Sequence, residues 1–524
     1  MALQTGTTDE MELPESIRAS GRMLPESDRA FFAMDVYRAG ALPRGVVRPE
    51  TIDELRAIVI SAAGAGLAIH VRGGGVSYTD SYLPRSSDSI VIDSSALNRI
   101  VAINEQDMLV TVEPGISWHA LDAALAPRQL KVPFVGTFSG LAASVGGTVS
   151  QNANGHGSNA AGISADSVVA IEALLPSGEF IRTSTAGSAA GGAFYRNYGP
   201  DLAGLFTGDA GTLGIKTAIT LKLLRRKPAF EAASFAFPDF ATLHACMARL
   251  ASEKIEDKSF GLDLALSKGQ IAKQDAGSML TVARSVWRSS PNAATGVRSL
   301  VGMAAAGRRV LAAAPYAAHY IVDGHDPVEA RAKLGSLRRI AHGFGREIAA
   351  SVPTVVRAMP FQPLHNMLGP DGERWVPLHG LLPHSQVLAF HAAFTSYVTA
   401  CRDAMETHGV HIGAMFSCIG ASTFLYEPAL YWKDELAEFH HRMMEPAYLA
   451  KLPRYAANPQ GAALVETMRN HIITLMHAHG AGHFQIGKLY PYALDRDPGA
   501  MRLLRAIKAE LDPENLLNPT ALGL

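Results

Sequence analysis

The sequence predicts an α+β protein with more than one domain. The chain has 524 residues, of which 48% are hydrophobic, enough for two or three cores. Short helical patterns alternate with short β-rich runs and glycine turns over residues 44–228. Longer helices and further strands follow without a low-complexity linker, so we expect the domains to pack together.

The sequence of the first region predicts alternating helices and strands. TIDELRAIVISAAGAG (51–66) has helical apolar spacing, and Thr51 with Glu54 forms a capping-box signature. LAIHV then predicts a buried strand that ends at three glycines. Further strands are expected over 89–95, 100–115 and 168–183, with a helix over 117–130.

The second region favours an antiparallel sheet flanked by helices. Helices are predicted over 237–253, 327–345, 385–409, 464–479 and 499–511, and a strand starts at about 410. A Gly/Pro-rich loop over 366–385 leads into another strand.

Composition excludes several classes of function. A net charge of −1 gives no electrostatic reason to bind nucleic acid or an anionic membrane. The three cysteines (Cys246, Cys401 and Cys418) lack metal or disulfide spacing, and we expect no metal site. No signal peptide or long apolar span is recognisable, so the expected location is the cytoplasm.

Four glycine-dense segments are the main chemical signal. They are RGGGVSYT (72–79), the small-residue run over 133–162, TGDAGTLGI (207–215) and HGAGHFQIGK (479–488). Glycine lets backbone N–H groups approach a ligand and form a concave anion site. The spacing fits neither a Rossmann fingerprint nor a P-loop, and the long second run suggests backbone lying along a large flat ligand.

Taken in order, these segments resemble the vanillyl-alcohol oxidase superfamily of PCMH-type, FAD-linked oxidoreductases. The resemblance includes SVGGTVSQNANGHG, LFTGDAGTLGIKTAITLKL and LRAIKAELDPENLLNP. It implies a two-subdomain FAD-binding domain and a cap that carries the substrate site. The expected divisions are a lead-in (1–43), the FAD-binding domain (44–228), the cap (229–463) and a C-terminal segment returning to the FAD domain (464–524).

The resemblance also implies cofactor contacts. A pyrophosphate loop would comprise Arg72, Gly73, Gly74, Gly75, Val76 and Ser77. The pyrophosphate and flavin would be lined by Gly136, Thr137, Gly140, Ser144, Gly146 and Gly147, and the isoalloxazine approached by Asn152, Gly155, His156 and Gly157. Gly211, Thr212 and Ile215 would lie near adenine and ribose, and Asn518 belongs to the returning C-terminal turn.

Two departures from the family pattern predict noncovalent FAD. Val76 stands where many relatives carry a flavin-linking histidine, and FSCIGASTFLY in the second domain has no histidine. His156 is the remaining candidate linker, although packing against flavin or substrate is the favoured interpretation. The histidine pair that binds metal in the 2-hydroxy-acid branch is also missing.

Tyr78 stands where the phenol-oxidising branch places a phenolate-binding tyrosine. The Tyr-Arg pair of that branch is replaced by Phe484 and Gln485, so the match is partial. Histidines are the natural bases at neutral pH. The candidate catalytic residues are therefore Tyr78, His379, His483, Lys488 and Tyr490.

We expect an FAD-dependent oxidoreductase that takes hydride from an alcohol or an activated benzylic carbon, with an aromatic or phenolic alcohol as first choice. A 2-hydroxy acid or sugar-type alcohol is the alternative, and a non-catalytic flavin-binding protein is the second. Oxygen or another acceptor would reoxidise the flavin. The sequence leaves room for a homodimer.

Overall fold

Two sheets build the first domain of the computed structural model, which describes residues 13–189, 191–267 and 314–524. One sheet is parallel, with the strand order Gly45–Val47, Ser89–Asp93, Ala68–Arg72. The other is antiparallel, with the order Ile100–Asn104, Leu109–Val112, Ile215–Lys222, Val168–Leu174, Phe180–Arg182. A small ribbon pairs Leu130–Lys131 with Leu224–Arg225. The expected two-subdomain organisation is confirmed.

The helix predicted over 51–66 forms at Ile52–Gly64. Thr51 Oγ1 accepts a hydrogen bond from the Glu54 backbone N–H, which caps the first turn. Glu54 does not complete the capping box, because its carboxylate accepts from the Glu50 N–H instead. The other helices of this domain are Trp118–Leu125, Val145–Gln151, Ser158–Ala161 and Leu202–Leu205.

The second domain, called the cap below, is built on an antiparallel sheet. Among the described residues it has eight strands. Seven follow the order Arg346–Ile348, Ala229–Phe237, Tyr316–Gly324, Lys258–Asp263, Val410–Ile419, Thr423–Trp432, Arg374–Pro377, and Gly380–Pro383 also pairs with Thr423–Trp432. The predicted antiparallel sheet flanked by helices is confirmed.

Helices cover one face of the cap sheet. They are Phe240–Glu253, Pro327–Ala341, Val387–Ala400, Arg402–His408 and Pro459–Ala478. The helix predicted over 385–409 is therefore two helices, because Cys401 has a ψ of −2° that interrupts the helical repeat. Phe416, Phe424 and Tyr426 fill the core between this face and the helices, which leaves the opposite face toward the first domain.

The C-terminal segment joins both domains. The boundary predicted at 464 falls inside helix Pro459–Ala478, which packs on the cap. The chain then returns to the first domain, where Lys488 N–H donates to Thr79 O and Asn518 N–H donates to Ile69 O. Helix Pro498–Leu511 lies between these two contacts along the chain.

The lead-in contributes short helices at Glu15–Arg18 and Arg29–Phe32, while residues 1–12 lie outside the described part of the chain. In the described ranges, no helix is long and apolar enough to cross a bilayer.

Candidate active site

A cavity of about 690 Å³ lies between the glycine loops of the first domain and the cap sheet, on the face where the short helix Ser351–Ala358 also packs. Fifteen of the residues singled out in the sequence line it. They are Gly73, Gly74, Gly75, Val76, Ser77, Tyr78, Thr137, Ser144, Gly146, Gly147, Gly155, Gly211, Ile215, His379 and Asn518. The structure thus brings together all four glycine-dense segments, because Phe484 and Gln485 also line the cavity.

The loop after strand Ala68–Arg72 presents bare backbone to the cavity. The N–H groups of Gly74, Gly75 and Val76 donate to no described protein acceptor. A Cβ on Gly74 would lie 1.8 Å from Ala142 O, and Gly75 has a φ of +72°. Glycine is needed here because two loops touch backbone to backbone and because Gly75 adopts a left-handed conformation.

Arg72 supports this loop from behind. It is 4% exposed, and its guanidinium lies 4.7 Å from the ring centroids of both Phe31 and Phe32. A Cβ on Gly75 would lie 2.1 Å from the same guanidinium. Arg72 does not line the cavity, so its role in the structure is to hold the loop in place.

The second glycine segment also serves as a docking site for the cap. The Phe361 ring packs directly on Gly140 and Gly136. A Cβ on Gly140 would lie 2.4 Å from this ring, and a Cβ on Gly136 would lie 3.0 Å from it. His156 Nε2 lies 2.6 Å from Pro360 O. Burial lowers the pKa of His156 to about 3, so the ring is neutral and donates its Nε2 proton to that carbonyl. The structure places Gly136, Gly140 and His156 at the domain contact, outside the cavity lining.

Three further predicted cofactor residues lie behind the lining. Asn152 ends helix Val145–Gln151 at a φ of +51°, and its Oδ1 accepts from the Ala165 N–H. Gly157 has a φ of +95° beside Pro133, and Thr212 Oγ1 donates to Leu517 O.

Asn518 connects the C-terminal turn to the cavity. Its Nδ2 donates to Ser81 O at 2.8 Å and to Ala210 O at 2.6 Å, and its Oδ1 lies 2.9 Å from His70 Nδ1. Burial is the main cause that lowers the pKa of His70 to about 3, so the neutral ring donates to Asn518.

Three buried polar atoms face the cavity without a partner in the described chain. They are Gln151 Oε1, Asn154 Oδ1 and His319 Nε2. Buried polar atoms normally find a hydrogen-bond partner, so these three atoms are suited to contact polar groups of a ligand. Together with the free N–H groups of Gly74, Gly75 and Val76, they fit FAD. Its pyrophosphate oxygens can accept from the N–H groups, and its ring N–H and ribityl hydroxyls can donate to the amide oxygens of Gln151 and Asn154.

Tyr78 and His379 meet at the cavity wall. Tyr78 Oη lies 2.7 Å from His379 Nε2, and the backbone N–H of His379 donates to Tyr490 Oη at 2.7 Å. His483 Nδ1 donates to His379 O at 2.6 Å and stacks on the Tyr490 ring at 3.9 Å. His483 and Tyr490 therefore position His379 and do not line the cavity themselves.

The protonation of this cluster follows from its burial. Desolvation, with smaller contributions from His483 and Arg469, lowers the pKa of His379 to about 3, so the imidazole is neutral. Burial raises the pKa of Tyr78 well above its ordinary value, so its hydroxyl is protonated. Tyr78 is thus a hydrogen-bond donor at neutral pH.

A buried cation lies behind Tyr78. Arg469 is fully buried, donates from Nη2 to Tyr78 O at 2.7 Å, and stacks 4.1 Å from the Tyr37 ring centroid. Lys488, also a predicted catalytic residue, donates from Nζ to Leu83 O at 2.7 Å and is outside the cavity lining. Burial lowers the pKa of Lys488 to about 7.

Sequence reasoning missed the cap residues of the cavity, chiefly Trp375, Met415, Glu427 and Tyr431. These side chains lie on the face of the cap sheet opposite the helices. Both faces of strand Thr423–Trp432 are largely buried, so its sequence has no polar–apolar alternation that would have marked the cavity side.

Comparison with known proteins agrees with this architecture. Residues 43–184 match a family described as FAD binding domain, and residues 393–522 match FAD linked oxidases, C-terminal domain. A mitochondrial D-lactate dehydrogenase [cytochrome] of Arabidopsis thaliana is 30% identical over 36% of this chain and 31% of its own length. The chain spans less than half the length of such curated relatives.

Solved structures share the whole fold. A 4-ethylphenol oxidase from Gulosibacter chungangensis aligns over 100% of this chain and 99% of its own, with a TM-score of 0.72 and 16% identity. A p-cresol methylhydroxylase aligns over 97% and 96%, with a TM-score of 0.71 and 16% identity. The chain belongs to the FAD-linked oxidases, and its cofactor is FAD. Its fold is that of the p-cresol methylhydroxylase and the 4-ethylphenol oxidase.

Proposed function

We propose that the protein oxidises an aromatic or phenolic alcohol by taking hydride from its hydroxyl-bearing or benzylic carbon. The observation that carries this proposal is the Tyr78 hydroxyl in the cavity wall, held by His379 at 2.7 Å. FAD, when bound, supplies the hydride acceptor. The N–H groups of Gly74, Gly75 and Val76 would hold its pyrophosphate, and Gln151, Asn154 and His319 would meet its polar ring atoms.

The neutral His379 decides which way the Tyr78 proton points. Tyr490 Oη lies 3.4 Å from His379 Nδ1, and this nitrogen can accept a hydrogen bond from the Tyr490 hydroxyl. The imidazole proton is then on Nε2, which donates to Tyr78 Oη. The Tyr78 O–H is left to donate to a substrate oxygen. Such a donor stabilises a phenolate or alkoxide.

The remaining cap wall supports an aromatic substrate. Trp375 packs edge-on to Tyr78 with ring centroids 5.6 Å apart, and Phe484 lies 4.3 Å from the His379 ring. Met415 lies on the same sheet face. These side chains exclude water from the substrate oxygen and favour a flat apolar ring.

A 2-hydroxy acid is the second candidate, favoured by the similarity to the D-lactate dehydrogenase. Its carboxylate needs a free cation. Among the described residues that line the cavity, Lys216 is the one cationic side chain, and it is paired with Asp209. This pairing favours the phenolic alcohol.

Noncovalent FAD remains part of the proposal. Val76 lines the cavity in place of a linking histidine, and the His156 Nε2 is occupied by Pro360 O. Acid precipitation tests it: the yellow colour should stay in the supernatant, and a yellow pellet would refute it.

Anaerobic flavin bleaching tests the function. We expect 4-hydroxybenzyl alcohol to bleach the purified yellow protein faster than lactate does. Faster bleaching by lactate would favour the hydroxy acid, and no bleaching by a panel of phenolic alcohols, hydroxy acids and sugars would favour a flavin-binding protein without turnover. Reoxidation in air or only by an added acceptor then separates an oxidase from a dehydrogenase.

A further inference from the structure

Glu427 occupies a distinctive place in the cavity. It lies on strand Thr423–Trp432 opposite Met415 of the neighbouring strand, and both line the cavity. Phe424 and Tyr426 on the same strand belong to the core beneath the helices. Among the described residues that line the cavity, Glu427 is the one carboxylate.

The carboxyl of Glu427 has no hydrogen bond or ion pair to any described residue. Its charge raises the pKa values of Tyr78, Tyr431 and Tyr490, so it lies in their electrostatic neighbourhood. Burial raises the pKa of Glu427 itself to about 8, so the group is a carboxylic acid at neutral pH and a proton-accepting carboxylate above about pH 8. Burying a carboxyl without a hydrogen-bond partner in an apolar cavity costs free energy, unless a ligand supplies the partner.

The other polar groups on the lining are poor proton acceptors. The Tyr78 hydroxyl stays protonated, because burial raises its pKa. Burial lowers the pKa values of His379 and His319 to about 3, so neither holds an extra proton at neutral pH. A substrate that must lose a hydroxyl proton beside Tyr78 therefore needs another acceptor.

We propose that Glu427 is the catalytic base that takes the hydroxyl proton of a phenolic substrate bound beside Tyr78. The inference rests on the proposed function. The phenol O–H bond breaks, its electron pair stays on the oxygen, and the proton forms a new O–H bond on the Glu427 carboxylate. The negative charge moves from Glu427 to the substrate oxygen, where the Tyr78 hydroxyl stabilises it. No oxidant takes part in this step.

The test uses FAD-loaded protein and phenol, which has no benzylic hydrogen to lose. At about pH 9, phenol with a pKa of about 10, similar to tyrosine, is mostly protonated in bulk water. We expect an ultraviolet phenolate band when phenol binds to the wild type, measured against anisole, which carries no hydroxyl proton. The band should grow as the pH rises through about 8.

Glu427→Gln should lose the phenolate band while phenol still perturbs the visible spectrum of the flavin. Its kcat for 4-hydroxybenzyl alcohol should fall about 100-fold, a typical contribution of a general base. Glu256→Gln is the matched control: Glu256 is a buried cap carboxyl whose pKa burial raises to about 7, but it does not line the cavity. That variant should keep the band.

An unchanged band in Glu427→Gln would overturn the role of Glu427 and leave the proposed function standing. A wild-type phenolate band that grows only near pH 10, the bulk pKa of phenol, would also overturn the role of Glu427 and leave the proposed function standing. This measurement needs no variant. Wild-type protein that binds neither phenol nor anisole would overturn the phenolic substrate itself, and with it the base.

Discussion

The first-domain wall of the cavity presents backbone at Gly73–Gly75 and around Ser144, whereas the cap wall presents large side chains such as Trp375 and Tyr431. The backbone wall has free N–H groups and almost no room for a Cβ. The cap wall has a carboxyl, a histidine and aromatic rings at fixed register positions. The backbone wall suits a cofactor that is held through its phosphates and ring edges, whereas the side chains of the cap wall suit recognition of a particular substrate.

The largest expected effect comes from a substitution that disrupts the backbone wall. Gly74→Ala drives a methyl group toward Ala142 O, which a Cβ would approach to 1.8 Å. We expect the free energy of unfolding to fall by about 3 kcal/mol, because the loops at Gly74 and Ala142 must move apart to admit the methyl group. Bound FAD should be lost as well, because this movement displaces the backbone N–H groups of the loop. Thermal unfolding and the ratio of flavin to protein absorbance measure both.

Gly64→Ala is the control for that change. Gly64 ends helix Ile52–Gly64 and has nothing within 4 Å of its Cβ position, so stability should change by less than about 0.5 kcal/mol. Equal losses in both variants would show that the loop contact is not the reason for glycine at position 74.

Tyr78→Phe tests the substrate side. It removes the hydroxyl beside His379 Nε2 and should lower kcat/KM for 4-hydroxybenzyl alcohol about thirtyfold, the worth of one hydrogen bond to a charged oxygen. Benzyl alcohol, which lacks the phenol, should lose far less. Steady-state kinetics with the two alcohols decides, and equal losses would contradict phenolate binding by Tyr78.

Glu427→Gln should change stability in a pH-dependent way. Burial raises the pKa of folded Glu427 to about 8, so the folded state binds its proton more tightly than the unfolded state does. The contribution of Glu427 to the free energy of unfolding of the wild type is therefore present at low pH and is lost as the pH rises toward 8. The variant should therefore unfold about 3 °C above the wild type at pH 9 and show no gain at pH 4. A constant difference across this range would contradict the raised pKa.

The smallest effect concerns the domain contact. His156→Leu removes the hydrogen bond to Pro360 O and should lower the free energy of unfolding by about 1 kcal/mol. Calorimetry on the FAD-loaded protein measures it. A large shift of the flavin spectrum without a change in stability would instead place His156 at the isoalloxazine.

Much of the backbone wall could be predicted from sequence. The family resemblance indicated the glycines at 73–75 and 146–147, and all five line the cavity. The positive φ of Gly75 is a local requirement, whereas Gly74 is needed for a contact with Ala142 of another loop. Prediction was less informative for Gly136, Gly140 and His156. The two glycines meet the cap loop at Phe361, and His156 meets it at Pro360. A glycine that admits a ligand and one that admits a neighbouring ring look the same in sequence.

The sequence by itself determined the α+β architecture, because helix and strand spacing follow from short-range geometry. The resemblance of its glycine-dense segments to the PCMH-type family indicated FAD. Only the tertiary structure decided which side chains line the cavity. Tyr78 and His379 are 301 positions apart, and Glu427 reaches the cavity through the register of its strand with Val410–Ile419. Such contacts depend on how separate strands pair and how the cap closes on the first domain, and no local pattern records either.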